Sequence, residues 1–326
     1  MRDEIMEHPI FIVGVPRSGT TLVRMILNAH SRIAIAPETH FFRLFWSHRD
    51  MYGDLRQDAN LQAFWDDFLN SKYFQDFRFK DVQRICDKIL SGKRAYKNIF
   101  STLLVEYAKQ NGKIRCGEKT PGHLEFAKTI LDLYPDAKII HVIRDPRDVA
   151  LSFKRVPWGS NHVFSNARLW NRYMDIPKKQ NLISNSGSYL ELKYEDLVTN
   201  PKEMIKVICS FIHEEPEDGM HKFYQSSERY IEKNEPWKNG CLQPLTSSNI
   251  GKWKDELSKW EVEQIVIKCG QRMIEKGYIQ RQTNISFRET LILTSKKFLF
   301  HCLWLFRAIL NKIRKFFVSS LPIRRK

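Results

Sequence analysis

Arg17, Lys119 and Arg144, with Glu38 and the hydroxyls of Ser18, Thr20, Thr21 and Ser152, are the side chains on which a chemistry can be built. They fall where short apolar runs end, with Ser152 eight residues past Arg144. Cations and hydroxyls of this kind hold phosphate-type anions, Arg through a two-pronged guanidinium fork and Ser or Thr through a short O–H donor. A carboxylate among them is a candidate proton acceptor, and a lysine a candidate stabiliser of developing negative charge.

Elements must exist to bring these groups together. Residues 10–13, Ile-Phe-Ile-Val, are apolar and mostly β-branched and predict a strand covered on both faces. Gly14, Pro16 and Gly19 then form a tight loop, and from Thr20 onward Leu22, Val23, Ile26 and Leu27 share one side of a helix. Such a strand, loop and helix N-terminus make an anion site, because free amides converge on a phosphate and the helix dipole adds to the attraction. No Lys follows the second glycine, so this is not a Walker A loop; Arg17 places a cation inside it instead. A kinase-like P-loop protein would need that lysine and Mg²⁺-binding carboxylates, which argues against it.

Further along, 31–36 is a short extended segment ending at Pro37-Glu38-Thr39-His40, and Glu38 also suits the start of the aromatic turn that follows. Residues 57–90 read as two helices and 99–110 as another. Strands are expected at 114–117, 137–143 and 189–193, with helices at 123–133, 147–154, 201–212 and 259–276. A long helix over 162–183 should be interrupted by Pro177. The stretch 214–250 reads as a long covering loop. Alternating strands and helices predict a parallel sheet with ligands at the C-terminal strand ends, which is where the motif loops fall.

Val15-Pro16-Arg17-Ser18-Gly19-Thr20-Thr21-Leu22 after a strand resembles the 5′-phosphosulfate loop of sulfotransferases that use 3′-phosphoadenosine 5′-phosphosulfate (PAPS). Arg144-Asp145-Pro146-Arg147-Asp148, running on to Ser152, resembles their 3′-phosphate motif. The resemblance covers 10–39, 118–152 and 189–196, and more weakly 251–253. It implies a P-loop-NTPase-like, three-layer α/β sandwich with a central parallel sheet over 1–285, PAPS as co-substrate and no metal. It also implies roles: Pro16 to Thr21 for the 5′-phosphate, Arg144 and Ser152 for the 3′-phosphate, Arg17 and Lys119 at the transferring sulfuryl group. Lys252 or Trp253 would close over the nucleotide, a capping role for that segment being equally open. The Lys-Thr-His of the cytosolic branch is here Lys119-Thr120-Pro121, so that branch's histidine base is absent. Glu38, spaced from the Arg loop as in tyrosylprotein sulfotransferases, fills the gap as base; His123, His40 and His141 are lesser candidates. Gly117-Glu118-Lys119-Thr120-Pro121 and Tyr194-Glu195-Asp196-Leu197 recur in bacterial-type members acting on carbohydrates, lipids or small metabolites, so the acceptor stays a hydroxyl of any of these or of tyrosine.

Charge and composition add bounds. The net charge of +16 is uneven, since 288–326 carries ten basic residues and one acid, Glu289. The milder excess on the body suits a multiply anionic ligand and does not suggest a nucleic acid partner. Six scattered cysteines without Cys-x-x-Cys or paired His spacing exclude a metal cluster or disulfide framework as the expectation. With an acidic start running straight into the first strand, neither a signal peptide nor an N-terminal anchor is expected, and the body reads as cytoplasmic. The thirteen-residue apolar run 298–310, flanked by Lys and Arg, is shorter than the ~20 residues of a spanning helix. Residues 286–326 therefore read as a basic amphipathic tail helix, peripheral on the anionic inner face of a membrane, with docking on the body or on another subunit as the alternative. A non-catalytic membrane adaptor on the same fold is the remaining rival, and retention of both anion loops with Lys119 and Glu38 disfavours it. Truncation after Asn284 is expected to abolish co-sedimentation with anionic liposomes at low salt while nucleotide binding persists; full-length protein that ignores such liposomes overturns the interfacial reading.

Overall fold

The first strand, β1 (Ile10–Gly14), sorts its side chains to two sides and so sets the layers. In the computed structural model, which describes residues 8–184, 187–231 and 235–280, Phe11 and Val13 enter one apolar cluster while Ile10 and Ile12 enter another. The first cluster is closed by Phe100 and Leu103 of the helix Tyr96–Gln110, Val149 of Pro146–Lys154, Trp170 of Val163–Lys179 and Cys269 of Lys259–Glu275. Val23 and Ile26 of the helix Thr20–Asn28, with Ile205 and Ile208 of Pro201–Ile212, close the second. The result is a three-layer α/β sandwich.

Its sheet has five strands in the order β2-β3-β1-β4-β5, with β2 Ile33–Ala36, β3 Arg115–Lys119, β4 Lys138–Ile143 and β5 Tyr189–Lys193. All pairings are parallel, and β1 lies between β3 and β4, with Ile12 opposite Lys119 and Ile140. The chain therefore leaves β1 at the switch point of strand order, where open α/β sheets place ligands. The segment expected to be merely extended, 31–36, contributes the edge strand β2, through which Pro37 and Glu38 are delivered to the same end of the sheet. Glu118 and Lys119 close β3, so Lys119 stands at a strand end as expected.

Two further expectations change. The helix Val163–Lys179 runs through Pro177 rather than breaking there, because the proline falls in its last turn, where one missing amide costs a single hydrogen bond before the helix ends. The described residues of 214–250 form a series of short turns, with Met220, Phe223 and Tyr230 buried in the second cluster, and pack beside the helix Thr20–Asn28. Its 3₁₀ turn Pro236–Leu242 reaches the end of β1. The tail helix expected over 286–326 lies outside the described residues.

Candidate active site

The loop after β1 is wound so that its polar groups face inward. Ser18 donates its amide to the Val15 carbonyl at 3.1 Å, Arg17 takes the left-handed conformation at φ 76° and Gly19 follows at φ 100°. Gly19 is required twice over: its backbone disfavours any L side chain, and a Cβ there would lie 2.6 Å from Cδ2 of Tyr194. The helix that begins at Thr20 has no side-chain cap and no acid in its first turn, so its positive end is left for an anion. Ser18 Oγ is buried with no hydrogen-bond partner.

Arg144, at the end of β4, closes the other side. Its Nη1 donates to the Arg17 carbonyl at 3.3 Å and its Nη2 to the Asn249 carbonyl at 2.6 Å, while its guanidinium lies 4.4 Å from the centre of the Tyr194 ring. Its Nε is buried and unpartnered. The indole of Trp170 holds the Arg144 carbonyl at 2.8 Å and so fixes the backbone at this point. Arg17 donates from Nε to Ser152 Oγ at 3.1 Å and from Nη2 to the Trp237 carbonyl at 3.3 Å. Burial, then the nearby Arg144, lowers the Arg17 pKa. Among the described residues no carboxylate is bonded to either guanidinium. Arg17, Gly19, Thr20, Thr21 and Arg144, roofed by Tyr194, Trp237 and Asn249, line a cavity of about 130 Å³. Two guanidinia, a free helix end and two orphaned donors fit a ligand with more than one phosphate-type anion.

Beside it lies the carboxylate–ammonium pair. Lys119 is wholly buried and donates from Nζ to Oε1 of Glu38, a contact spanning 81 residues of sequence. His40, whose ring stands 4.6 Å from that of Tyr73, meets the other Glu38 oxygen at 3.1 Å. Burial alone would raise the Glu38 pKa, but Lys119 and the hydrogen bonds from His40 and Lys119 outweigh it and hold the carboxyl well below the usual range. Burial pushes Lys119 down to about 8, against the support of Glu38.

The pair is held by its sequence neighbours. Glu118 is fully buried and accepts from Thr39 Oγ1 at 3.1 Å and Thr120 Oγ1 at 2.7 Å, and its other oxygen meets Nδ1 of His123. Thr120 Oγ1 in turn accepts the Thr39 amide at 3.0 Å. The Phe42 amide donates to His123 Nε2 at 3.3 Å, which places the imidazole proton on Nδ1. Both nitrogens of His123 are thus engaged inside the core, so it is a brace for the Glu38 segment. His141 lies within β4 against the Tyr189 hydroxyl at 2.7 Å, and burial lowers it to about 3.

Pro16, Arg17, Thr20, Thr21 and Glu38 also wall a second cavity of about 350 Å³, whose outer ring includes Arg43, Lys72, Tyr73, Trp158, Tyr173 and Trp237. The two cavities share Arg17, Thr20, Thr21, Trp237 and Lys238. Lys252 and Trp253 line neither, Trp253 lying instead under the Arg147 guanidinium at 3.8 Å. Asn249 and Trp237 were not singled out by sequence, and Tyr194 only as part of a recurring motif with no site role. Tyr194 carries the one usable signal, its place directly after β5. An anion cavity that shares a wall with an open cleft, with a carboxylate on the cleft side bonded to a buried ammonium, can pass an anionic group to a polar acceptor.

The comparisons with known proteins agree with this geometry. A family model described as the sulfotransferase family matches residues 9–218. Protein-tyrosine sulfotransferase A of Caenorhabditis elegans is 27% identical over 210 residues, covering 62% of this chain and 49% of the relative. An omega-hydroxy-beta-dihydromenaquinone-9 sulfotransferase of Mycobacterium tuberculosis is 25% identical over 245 residues, 62% of either chain. An uncharacterized protein of Aquifex aeolicus is 25% identical over 282 residues, 83% of this chain and 33% of its own length. The chain thus spans between a third and two thirds of the length of these relatives. In fold, it is similar to the sulfotransferase domain of the Synechococcus olefin synthase, with a TM-score of 0.57 at 21% identity over 85% of this chain and 97% of that one.

The buried pair gives a direct observable. By NMR of isotopically labelled lysine, Lys119 is expected to titrate near pH 8, apart from the surface lysines. Glu38→Gln removes the carboxylate that favours the charged ammonium, so the Lys119 midpoint should fall further; an unchanged or raised midpoint contradicts the contact.

Proposed function

The chain belongs to the sulfotransferase family, and on that footing we propose that it transfers the sulfuryl group of PAPS to an acceptor hydroxyl. The observation that carries the reading is the Lys119–Glu38 contact, made by the carboxylate that walls the larger cavity, which adjoins the anion cavity through Arg17, Thr20 and Thr21. PAPS supplies an activated sulfuryl group on a phosphate leaving group. Ser18, Gly19, Thr20 and Thr21 hold the 5′-phosphate through the loop and first-turn amides and the hydroxyls. Arg144, with its orphaned Nε, and Ser152 hold the 3′-phosphate. The cavity's shape favours Tyr194 and Asn249 as nucleotide neighbours over Lys252 and Trp253.

Glu38 takes the proton of the acceptor hydroxyl, which enters by the larger cavity. While Lys119 is bonded to it, Glu38 is ionised but weakly basic. Anionic charge in the neighbouring cavity competes for the Lys119 ammonium, and as that ammonium turns away the carboxylate gains basicity. Lys119 and Arg17 then meet the negative charge that spreads over the transferring group and the leaving oxygen. The transfer is in-line, with the donor on the phosphate-loop side and the acceptor on the Glu38 side. Arg43 and Lys72 at the cleft mouth, with Tyr73 and Trp158, give the acceptor a polar, partly aromatic seat. No helix among the described residues is long and apolar enough to cross a membrane.

Adenosine 3′,5′-bisphosphate is expected to raise the melting temperature of the protein more than AMP does at equal concentration, by ligand linkage. Equal shifts remove the assignment of Arg144 and Ser152. For the proton transfer, Glu38→Gln should lower turnover of PAPS by ~10²–10⁴-fold with bisphosphate affinity near normal, whereas Arg17→Ala should lose rate and affinity together. If Glu38→Gln keeps near-full turnover and His123→Gln loses it, the base is the histidine.

A further inference from the structure

Arg144-Asp145-Pro146-Arg147-Asp148 has one carboxylate that the proposed phosphate chemistry does not use. Asp148 is 2% exposed, in the first turn of the helix Pro146–Lys154. Its two oxygens reach across to a segment about a hundred residues away: Oδ2 accepts the Gly251 amide at 2.7 Å and Oδ1 the Trp253 amide at 3.1 Å. No cation is bonded to this carboxylate among the described residues. The turn it grips is held from two more points of the same motif. Arg147, fixed by Asp145 and by the Tyr278 carbonyl at 3.1 Å, lies over the Trp253 ring at 3.8 Å. Arg144 donates to the Asn249 carbonyl at 2.6 Å.

Three side chains of one five-residue motif therefore hold this turn: Arg144 at Asn249, Asp148 at Gly251 and Trp253, and Arg147 at the Trp253 ring. Gly251 adopts φ 73°, and a Cβ there would meet only the Lys254 side chain at 3.7 Å, so glycine is needed for the backbone conformation and not for space. Such a turn persists where surrounding bonds over-determine it. Asn249 lines the small anion cavity and its carbonyl orients the Arg144 guanidinium.

We propose that Asp148 is a positioning residue for the 3′-phosphate site: by binding the Gly251 and Trp253 amides it sets the turn whose Asn249 carbonyl aims Arg144. The proposal rests on the nucleotide reading of the Arg144 cavity. Asp148 touches no nucleotide itself; it acts through two amides, one carbonyl and one guanidinium. An acid in the first turn of a helix is ordinarily explained by the helix dipole. Here the carboxylate is buried and spent on another segment, so its removal should register at Arg144 and not only in the helix.

The test is calorimetric titration of the full chain with adenosine 3′,5′-bisphosphate and, separately, with AMP. Asn in place of Asp148 keeps one acceptor and turns an amide donor toward the other backbone N–H. Asp148→Asn should weaken bisphosphate binding by about tenfold, the worth of one charge-assisted hydrogen bond, with AMP binding changed far less. The ratio of the two affinities is a readout that a purely structural staple would not move. Equal losses for both nucleotides, or no loss, overturn the proposal. Should Asp148→Asn fail to fold, Gly251→Ala strains the same turn from its own side, and a preserved affinity ratio there overturns the proposal equally. If the unmutated protein binds both nucleotides alike, the reading of Arg144 and Ser152 fails and takes the proposal with it. Wild-type discrimination that survives both substitutions refutes the role of Asp148 alone.

Discussion

An ammonium with no access to water stands at the end of β3, and one carboxylate makes its charge tolerable. Removing the partner of a buried ion commonly costs ~3–5 kcal/mol, because the remaining charge has neither water nor a counter-ion. The surroundings of Lys119 are accordingly built to keep Glu38 in reach. Glu118 and Thr120, which flank Lys119 at the end of β3, bind Thr39, which follows Glu38. His123 adds a grip on the Phe42 amide. The pair is thus tied by a second, wholly buried set of bonds made by the residues on either side of it. That set has no exposed member, and its donors and acceptors are matched, as a low-dielectric network requires.

The site has two sides, and Glu38 belongs to only one of them. On one side are the phosphate-loop amides, Arg17 and Arg144, which are rich in donors and poor in bonded carboxylates. On the other is the wider cleft with Tyr73, Tyr173 and Trp158. No carboxylate lines the first side among the described residues, whereas Glu38, Asp76 and Glu235 line the second. Arg17 spans this boundary: its guanidinium is bonded to Ser152, yet it also walls the cleft that contains Glu38. The left-handed backbone at Arg17 makes this placement possible, and the loop is held in it by the Arg144 bond to its carbonyl.

Helix and loop elements remote from the chemistry serve chiefly as buttresses. Trp170 crosses from the helix Val163–Lys179 to fix the Arg144 carbonyl, and the turn Pro236–Leu242 offers the Trp237 carbonyl to Arg17. These contacts are between backbone carbonyls and side chains of distant elements. They tie the arginines' direction to the packing of the layers, which is why a cavity of about 130 Å³ can hold two guanidinia without a bonded carboxylate.

By itself the sequence determined the parts whose physics is local. Runs such as Ile10 to Val13 make buried strands, Gly14 and Gly19 make the loop, Pro146 starts a helix, and Arg144 stands eight residues before Ser152. Those choices were enough to read a parallel α/β sheet, the phosphate loop and the family resemblance. Only the tertiary structure decided what depends on strand order. Four residues, Ile33–Ala36, are too few to distinguish an edge strand from an extended link until β3 pairs with them. That pairing is what brings Glu38 to Lys119 and makes His123 a brace. Asn249 and Trp237 lie in a stretch without periodicity, so nothing local marked them, and Trp253 follows Arg147 away from the cavity because a cation–ring contact and the Asp148 bonds fix the turn. Local propensity writes the elements and the loop chemistry; the register and order of the strands write which distant charges meet.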